Sequence, residues 1–127
     1  MKEPCPMASE NKVSPLRGEI WSVDFSPSVG SEIKDIHPAL VMSVDEINSS
    51  TWGLIVVCPI SSFRKNKPFR LHILLDPPEG GIKHSSIIHC EQVKSVSVQR
   101  FLNRWGQVSD NSLNKVTDIL AKVLGLQ

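Results

Sequence analysis

The sequence predicts a small, partly open antiparallel β-barrel, mainly β, that ends in one C-terminal α-helix. Segments 19–25 and 69–75 alternate their apolar residues as strands do, and the continuous apolar run at 52–60 is typical of a central strand covered on both faces. The apolar period becomes helical at 113–124. Because no crossover helices separate the early strands, a parallel βαβ fold is not expected.

The first half of the chain is expected to hold three strands. The strand at 19–25 leads into a long loop, 26–36, which contains proline, glycine and charges of both signs and is a candidate for carrying function. The strand at 38–44 has its proline only at the first position, where a missing N–H is tolerated. The strand at 52–60 is expected to end at Pro59.

The second half is expected to hold the remaining strands and the helix. After the strand at 69–75, residues 76–81 (DPPEGG) indicate a tight turn, and residues 85–98 indicate one or two short strands. Ser109 or Asp110 can cap the start of the final helix, which would end before a glycine.

Length and composition indicate one domain preceded by a leader. Residues 1–16 hold three prolines and no periodicity, so we expect a disordered leader followed by a domain at 17–127. The formal net charge of +1 provides no global field for nucleic acid, so any RNA contact must come from a local basic patch. The sequence holds neither a signal-like apolar region nor a membrane-length apolar run, which predicts a cytoplasmic protein without membrane contact.

The metal-binding and disulfide signals are weak. The three cysteines cannot all pair and lack C-x-x-C spacing, and those at 58 and 90 are expected to act as small buried hydrophobic residues. The spacing of His72, His84 and His89 does not suit metal ligation, so we predict no metal and no cofactor.

Candidate chemistry clusters around two strand ends. His37 lies where the long loop meets a strand and could act as a general acid or base, or be a surface histidine without a role. Ser61 and Ser62 follow the buried strand and could donate hydrogen bonds to a phosphate, or belong to an ordinary turn. Asp24 and Glu32 are the carboxylates nearest to this expected site.

A basic cluster follows the two serines. It consists of Arg64, Lys65, Lys67 and Arg70, interleaved with two phenylalanines. This composition suits phosphate contacts and base stacking, although a charged strand edge that prevents aggregation has the same composition.

Taken in order, several blocks of the sequence resemble the MazF/PemK family of toxin endoribonucleases. The resemblance covers about residues 17–125 and depends on the order and spacing of its motifs. The matching residues are RGEIW (17–21), VDF (23–25), Pro27, Gly30, Glu32, PALV (38–41), Ser43, Asn48, Gly53-Leu54, Val57, Pro59, KPF (67–69), QVKS (92–95), Gly106 and Val108.

This resemblance implies a fold and an activity. The expected fold is an SH3-like barrel with a C-terminal helix, assembled as a homodimer. The expected activity is metal-independent, sequence-specific cleavage of single-stranded RNA through attack of the 2′-hydroxyl, blocked by a cognate acidic antitoxin. The RNA-binding residues expected from the resemblance and from the basic patch are Asp24, Ser62, Arg64, Lys65, Lys67, Gln92, Lys94 and Arg100.

The sequence departs from the family at both reactive positions. The family carries an arginine before the proline of the PALV block (38–41) and a threonine after the buried strand, where this chain has His37 and Ser61. A histidine is not equivalent to a permanently charged arginine. The first hypothesis is therefore that His37, assisted by Glu32, transfers protons while Ser61 and a cation (Lys94 or Arg64) stabilise the phosphorane.

Three alternatives stay open at the level of sequence, one of them a β-barrel interaction protein that only resembles a toxin. Loss of the arginine would leave a catalytically weakened module that binds antitoxin or RNA. A related CcdB-like fold poisons DNA gyrase, and the terminal helix sequence does not distinguish that activity from RNA cleavage.

Overall fold

The structure is a computed structural model that describes residues 13–63 and 70–126. Within these residues it holds seven strands, two helices and three short 3₁₀ turns. The strands are β1 (Glu19–Asp24), β2 (Ile36–Val41), β3 (Leu54–Ser62), β4 (His72–Leu75), β5 (Ser86–His89), β6 (Lys94–Ser97) and β7 (Phe101–Gln107). The helices are α1 (Asp45–Asn48) and α2 (Asp110–Val123). No helix among the described residues is long and apolar enough to cross a membrane.

The strands form one open antiparallel sheet, which confirms the predicted fold class. Their order is β4-β5-β3-β2-β1-β7, and β6 also pairs with β3. The long strand β3 therefore lies at the centre, with β2 along one edge and β5 and β6 along the other.

Apolar residues are buried on both faces of this sheet. On β1, Ile20 packs into one cluster, which α2 covers with Leu113 and Leu120. Trp21 and Val23 pack into a second cluster on the opposite face. The expected alternation of β1 is therefore confirmed, and both of its faces contribute to a core.

The helix α2 begins where the sequence predicts. Ser109 is its N-cap and accepts a hydrogen bond from the backbone N–H of Ser112 at 3.2 Å. The Glu79 carboxylate accepts two further bonds, from the backbone N–H and from the hydroxyl of Ser109, both at 2.9 Å. This anchors the helix to the turn that was predicted from DPPEGG.

Three expectations need correction. β3 does not end at Pro59 but continues to Ser62. On the side of β3 that pairs with β5 and β6, the hydrogen-bonded ladder is interrupted at Pro59, so its missing N–H removes no ladder hydrogen bond there. Strand β7 was not predicted, since its residues are largely exposed and lack an apolar alternation. The described fold begins before the predicted boundary at residue 17: Val13 packs against the second cluster and Pro15 is fully buried.

Candidate active site

A three-residue turn on the edge of β3 creates the site. Ile60 faces Ile88 on β5, whereas Val57 faces Lys94 on β6. Three residues along β3 thus correspond to six residues along the segment that contains β5 and β6. The three extra residues of that segment form the 3₁₀ turn Cys90–Gln92. The turn leaves His89 at the end of β5, diagonally across from Ser61, whose direct partner on β5 is Ile87.

Ser61, His89 and Glu91 form a hydrogen-bonded chain at this turn. Ser61 Oγ lies 2.6 Å from His89 Nε2, and His89 Nδ1 lies 3.2 Å from Glu91 Oε2. Because a carboxylate only accepts, the imidazole carries its proton on Nδ1. The Nε2 atom of the neutral ring therefore accepts the hydrogen bond from the serine hydroxyl, which is the arrangement a proton relay requires.

The environment of the relay keeps His89 neutral and Glu91 ionised. Burial lowers the pKa of His89, and this outweighs the opposing hydrogen bond and charge of Glu91. Burial alone would raise the pKa of Glu91, but hydrogen bonds from His72, from its own backbone N–H and from His89 hold the pKa below its usual value. His89 can therefore accept a proton, and Glu91 can stabilise the resulting imidazolium.

His72 lies beside the relay on β4. It is the cross-strand partner of His89, and the two rings meet edge to face with 4.4 Å between their centroids. His72 Nε2 lies 3.1 Å from the same Glu91 Oε2 atom. The spacing of these histidines did not indicate a common site, but strand pairing brings His72, His89 and Glu91 together.

His37 lies next to the end of β3, as the sequence suggested. Its Nδ1 lies 3.2 Å from the Ile60 carbonyl oxygen. A carbonyl oxygen can only accept a hydrogen bond, so Nδ1 carries a proton, and Nε2 is the nitrogen available to exchange a proton with a ligand. Besides burial, the charges of His72 and His37 lower the pKa of His89 against the opposing effect of Glu91, so His37 lies within electrostatic range of the relay.

His37 and Ser61 line one cleft. Its volume is about 320 Å³, and it also contains Ser62, Lys83 and His84. The expectation that His37, Ser61 and Ser62 share a site therefore agrees with the geometry. Lys83 is a cation of this cleft that the sequence reasoning did not single out.

Glu32 lies in a neighbouring cleft instead. That cleft has a volume of about 460 Å³ and also contains Phe25, Gln92 and Lys94. Glu32 Oε1 accepts a hydrogen bond from the backbone N–H of Val29 at 2.7 Å, so the Glu32 carboxylate binds the backbone of its own loop. The structure thus does not bring Glu32 to His37, and Glu91 is the carboxylate joined to a histidine.

Gln92 and Lys94 contact the long loop after β1. Gln92 Oε1 accepts a hydrogen bond from the Ile33 N–H at 2.9 Å, and the Lys94 ammonium lies 5.7 Å from the centroid of the Phe25 ring. The turn Cys90–Gln92 and the loop are therefore fixed to each other.

Asp24 and Arg100 form the base of the same loop. The Arg100 guanidinium donates hydrogen bonds to the carbonyl oxygens of Asp24 and Ser26. Part of its hydrogen-bonding capacity is therefore used to hold the backbone of the loop. Two hydrogen bonds from Ser26 lower the pKa of Asp24, which keeps it ionised. The predicted cations Arg64, Lys65 and Lys67 lie outside the described residues.

Comparison with known proteins identifies the family. A family profile described as "PemK-like, MazF-like toxin of type II toxin-antitoxin system" matches residues 16–124. The chain belongs to the PemK/MazF family of toxins. The match begins at residue 16, close to the start of the described fold, and includes the whole of the Ser61 relay.

Two curated relatives support this membership of the PemK/MazF family. The chain is 35% identical over 115 residues to endoribonuclease MazF9 of Mycobacterium tuberculosis (strain ATCC 25618 / H37Rv), covering 87% of this chain and 96% of that relative. It is 30% identical over 110 residues to endoribonuclease EndoA of Bacillus subtilis (strain 168), covering 87% and 94%.

Solved PemK/MazF structures share the fold. MazF from Deinococcus radiodurans aligns with a TM-score of 0.78 at 24% identity, covering 89% of this chain and 98% of that one. An endoribonuclease from a mycobacterial species, solved in complex with its cognate antitoxin, aligns with a TM-score of 0.72 at 19% identity, covering 89% and 97%. These likenesses extend over almost the entire described domain.

Proposed function

We propose that this type II toxin–antitoxin toxin is an endoribonuclease that cuts single-stranded RNA without a metal, in the cleft between His37 and Ser61. The observation that carries the proposal is the chain of hydrogen bonds from Ser61 through His89 to Glu91, with His37 across the same cleft. These groups compensate for the family's missing arginine, because they supply both a proton acceptor and a proton donor.

The first half of the reaction uses the relay. The ribose 2′-hydroxyl passes its proton to Ser61 Oγ while the serine proton moves to His89 Nε2. The 2′-oxygen then forms a bond to the adjacent phosphorus. The ionised carboxylate of Glu91, 3.2 Å from His89 Nδ1, stabilises the imidazolium formed in this step.

The second half releases the 5′ product. His37, when protonated on both nitrogens, gives the Nε2 proton to the leaving 5′-oxygen as the phosphorus–oxygen bond breaks. The products are a 2′,3′-cyclic phosphate and a 5′-hydroxyl. Lys83, which lines the cleft, provides positive charge for the phosphorane oxygens, and such electrostatic stabilisation is usually the largest catalytic contribution.

RNA positioning is assigned to the two clefts and to the basic segment at 64–67. Lys94 and Gln92 provide a cation and an amide in the second cleft, next to the buried ring of Phe25, which suits a flanking nucleotide. Ser62 contributes a hydroxyl in the first cleft. Phosphate contacts from Arg64, Lys65, Lys67 and Arg100, and an RNA contact from Asp24 to a group other than phosphate, remain predictions.

The resemblance also supports specific partners and a location. A mycobacterial relative was solved with its cognate antitoxin, and we extend this to a cognate acidic antitoxin for the present chain. Assembly as a homodimer and a cytoplasmic location are part of the same proposal. A small acidic reading frame next to the gene would support the antitoxin partner.

The test is cleavage of a long RNA in the presence of a chelator, mapped by primer extension. We expect discrete cuts by the wild type, almost none by Ser61→Ala, and unchanged cuts by Ser49→Ala, a matched control at an exposed serine beyond α1. Full activity of His37→Ala would refute the role given to His37. Intact RNA with the wild type would refute the endoribonuclease, and inhibition of gyrase supercoiling in that case would support the gyrase alternative.

A further inference from the structure

Three side chains beside the relay have the composition and spacing of a metal site. His72 Nε2 and His89 Nδ1 lie 3.1 and 3.2 Å from one oxygen, Glu91 Oε2. The three potential ligand atoms all lie within 4.8 Å of one another. The side chains are 14%, 12% and 29% exposed, so they are partly shielded but still accessible to solvent.

These distances agree with coordination of a first-row transition ion. Two ligands of a tetrahedral ion at bond lengths of about 2.0–2.1 Å lie roughly 3.3 Å apart, close to both nitrogen–oxygen distances in the cluster. Two histidines and one glutamate are also the ligand set of several catalytic zinc sites, which keep a fourth position for water. Mg²⁺ and Ca²⁺ prefer sites built entirely from oxygen.

The backbone holds the three ligands in place. His72 and His89 are direct cross-strand partners on β4 and β5, and Glu91 lies in the turn that fixes the register of β3. Ser61 holds His89 from the other side of the ring through Nε2. A hydrogen bond to the second nitrogen of a ligating histidine is the usual support for such a ligand.

We propose that His72, His89 and Glu91 bind one Zn²⁺ ion, and that bound zinc switches RNA cleavage off. The inhibitory part of this proposal depends on the proposed function, whereas the binding site does not. The cluster is a regulatory site, because the proposed cleavage itself needs no metal.

Zinc would inhibit cleavage by changing the tautomer of His89. Coordination through Nδ1 requires that nitrogen to give up its proton, which moves to Nε2. His89 then donates to Ser61 Oγ instead of accepting from it. The relay can no longer take the proton of the ribose 2′-hydroxyl, and the carboxylate of Glu91 is occupied by the ion.

The binding test is a calorimetric titration of the metal-free full chain with Zn²⁺, together with the visible absorption of a Co²⁺-loaded sample. We expect one ion per chain and a Co²⁺ spectrum of low coordination number. His72→Gln should weaken binding at least about tenfold, and Glu91→Gln should do the same. His84→Gln, an exposed histidine outside the cluster, is the matched control and should bind as the wild type does.

Two results would overturn the site: no uptake of zinc by the wild type, or equal uptake by wild type and His72→Gln when both give the same circular dichroism spectrum. Equal uptake by Glu91→Gln would do the same and does not depend on the His72 variant folding.

The inhibition test compares cleavage rates with and without zinc, each variant being normalised to its own zinc-free rate. Zinc should slow the wild type and the His84→Gln control at least about tenfold but leave His72→Gln insensitive. Zinc that binds without slowing the wild type would refute the inhibitory switch while leaving the site intact. Absence of cleavage in the zinc-free wild type would instead refute the proposed function, so the two failures are distinguishable.

Discussion

The relay predicts that Ser61 and His89 act as one unit. His89→Gln keeps a side chain that can accept a hydrogen bond from the serine hydroxyl but cannot take its proton. General acid–base catalysis contributes about 10²–10⁴-fold, which corresponds to roughly 2.7–5.4 kcal/mol of transition-state stabilisation. Because Ser61 Oγ lies only 2.6 Å from His89 Nε2, we expect the loss to approach this range.

The second substitution measures the coupling. If Ser61 acts by passing a proton to His89, Ser61→Ala should slow the wild type strongly and should cost little when added to His89→Gln. Residues that act as a unit give such non-additive effects. The coupling free energy in the double-mutant cycle is expected to approach the effect of either single change.

The assay is single-turnover cleavage of a short RNA with one cut site, in excess enzyme and a chelator. Saturating enzyme separates the chemical step from RNA binding. Two independent, additive rate losses would refute the relay, since they would mean that Ser61 and His89 contact the reaction separately. Retention of more than about a tenth of the wild-type rate by His89→Gln would refute its role as the base.

Three further predictions concern the scaffold. Acidification should destabilise the fold through Glu19. Burial raises the pKa of Glu19, but hydrogen bonds, led by the one from Arg104, lower this pKa overall. The ionised carboxylate therefore stabilises the fold above the ordinary pKa of glutamate, and this stabilisation is lost as the pH falls below that value. Urea midpoints of wild type against Glu19→Gln across that range measure this, and equal acid sensitivity would contradict it. Gly81→Ala should lower the free energy of unfolding by at least about 2 kcal/mol, because φ is 82° and the added Cβ would lie 2.2 Å from the Trp105 carbonyl oxygen; an unchanged thermal midpoint would refute it. Ser109→Ala should cost about 1 kcal/mol through loss of the α2 cap, and denaturant unfolding that matches wild type would argue against that cap.

The sequence predicted the parts of the fold that follow local periodicity. The alternation of β1, the apolar centre of β3 and the cap of α2 at Ser109 are all local patterns, and each agrees with the structure. Strand β7 was missed because four consecutive residues in the middle of this seven-residue strand are exposed. In addition, its pairing with β1 shifts register at bulges. An edge strand of this kind has no apolar signature.

The site was predictable only in part. The sequence singled out His37 and Ser61 because each lies near the end of an apolar strand, and the structure places both in one cleft. His89 and Glu91 were missed because their proximity to Ser61 depends on the three extra residues of the turn Cys90–Gln92. The sequence did contain one signal, a histidine at a strand end followed two residues later by a glutamate. This pattern does not reveal which strand the histidine faces.

The replacement of arginine by histidine before Pro38 has a consistent physical explanation in the proposed mechanism. An arginine there would be a fixed cation that neither accepts nor readily releases a proton at neutral pH. His89, whose pKa is lowered by burial, is suited to accept a proton, whereas His37 retains a donor directed at a backbone carbonyl and a second nitrogen toward the cleft. In the proposed mechanism the two imidazoles thus divide base and acid between them. Serine suits this division as well, because it lacks the methyl group that restricts χ1 of threonine, so the hydrogen bond to His89 sets its rotamer.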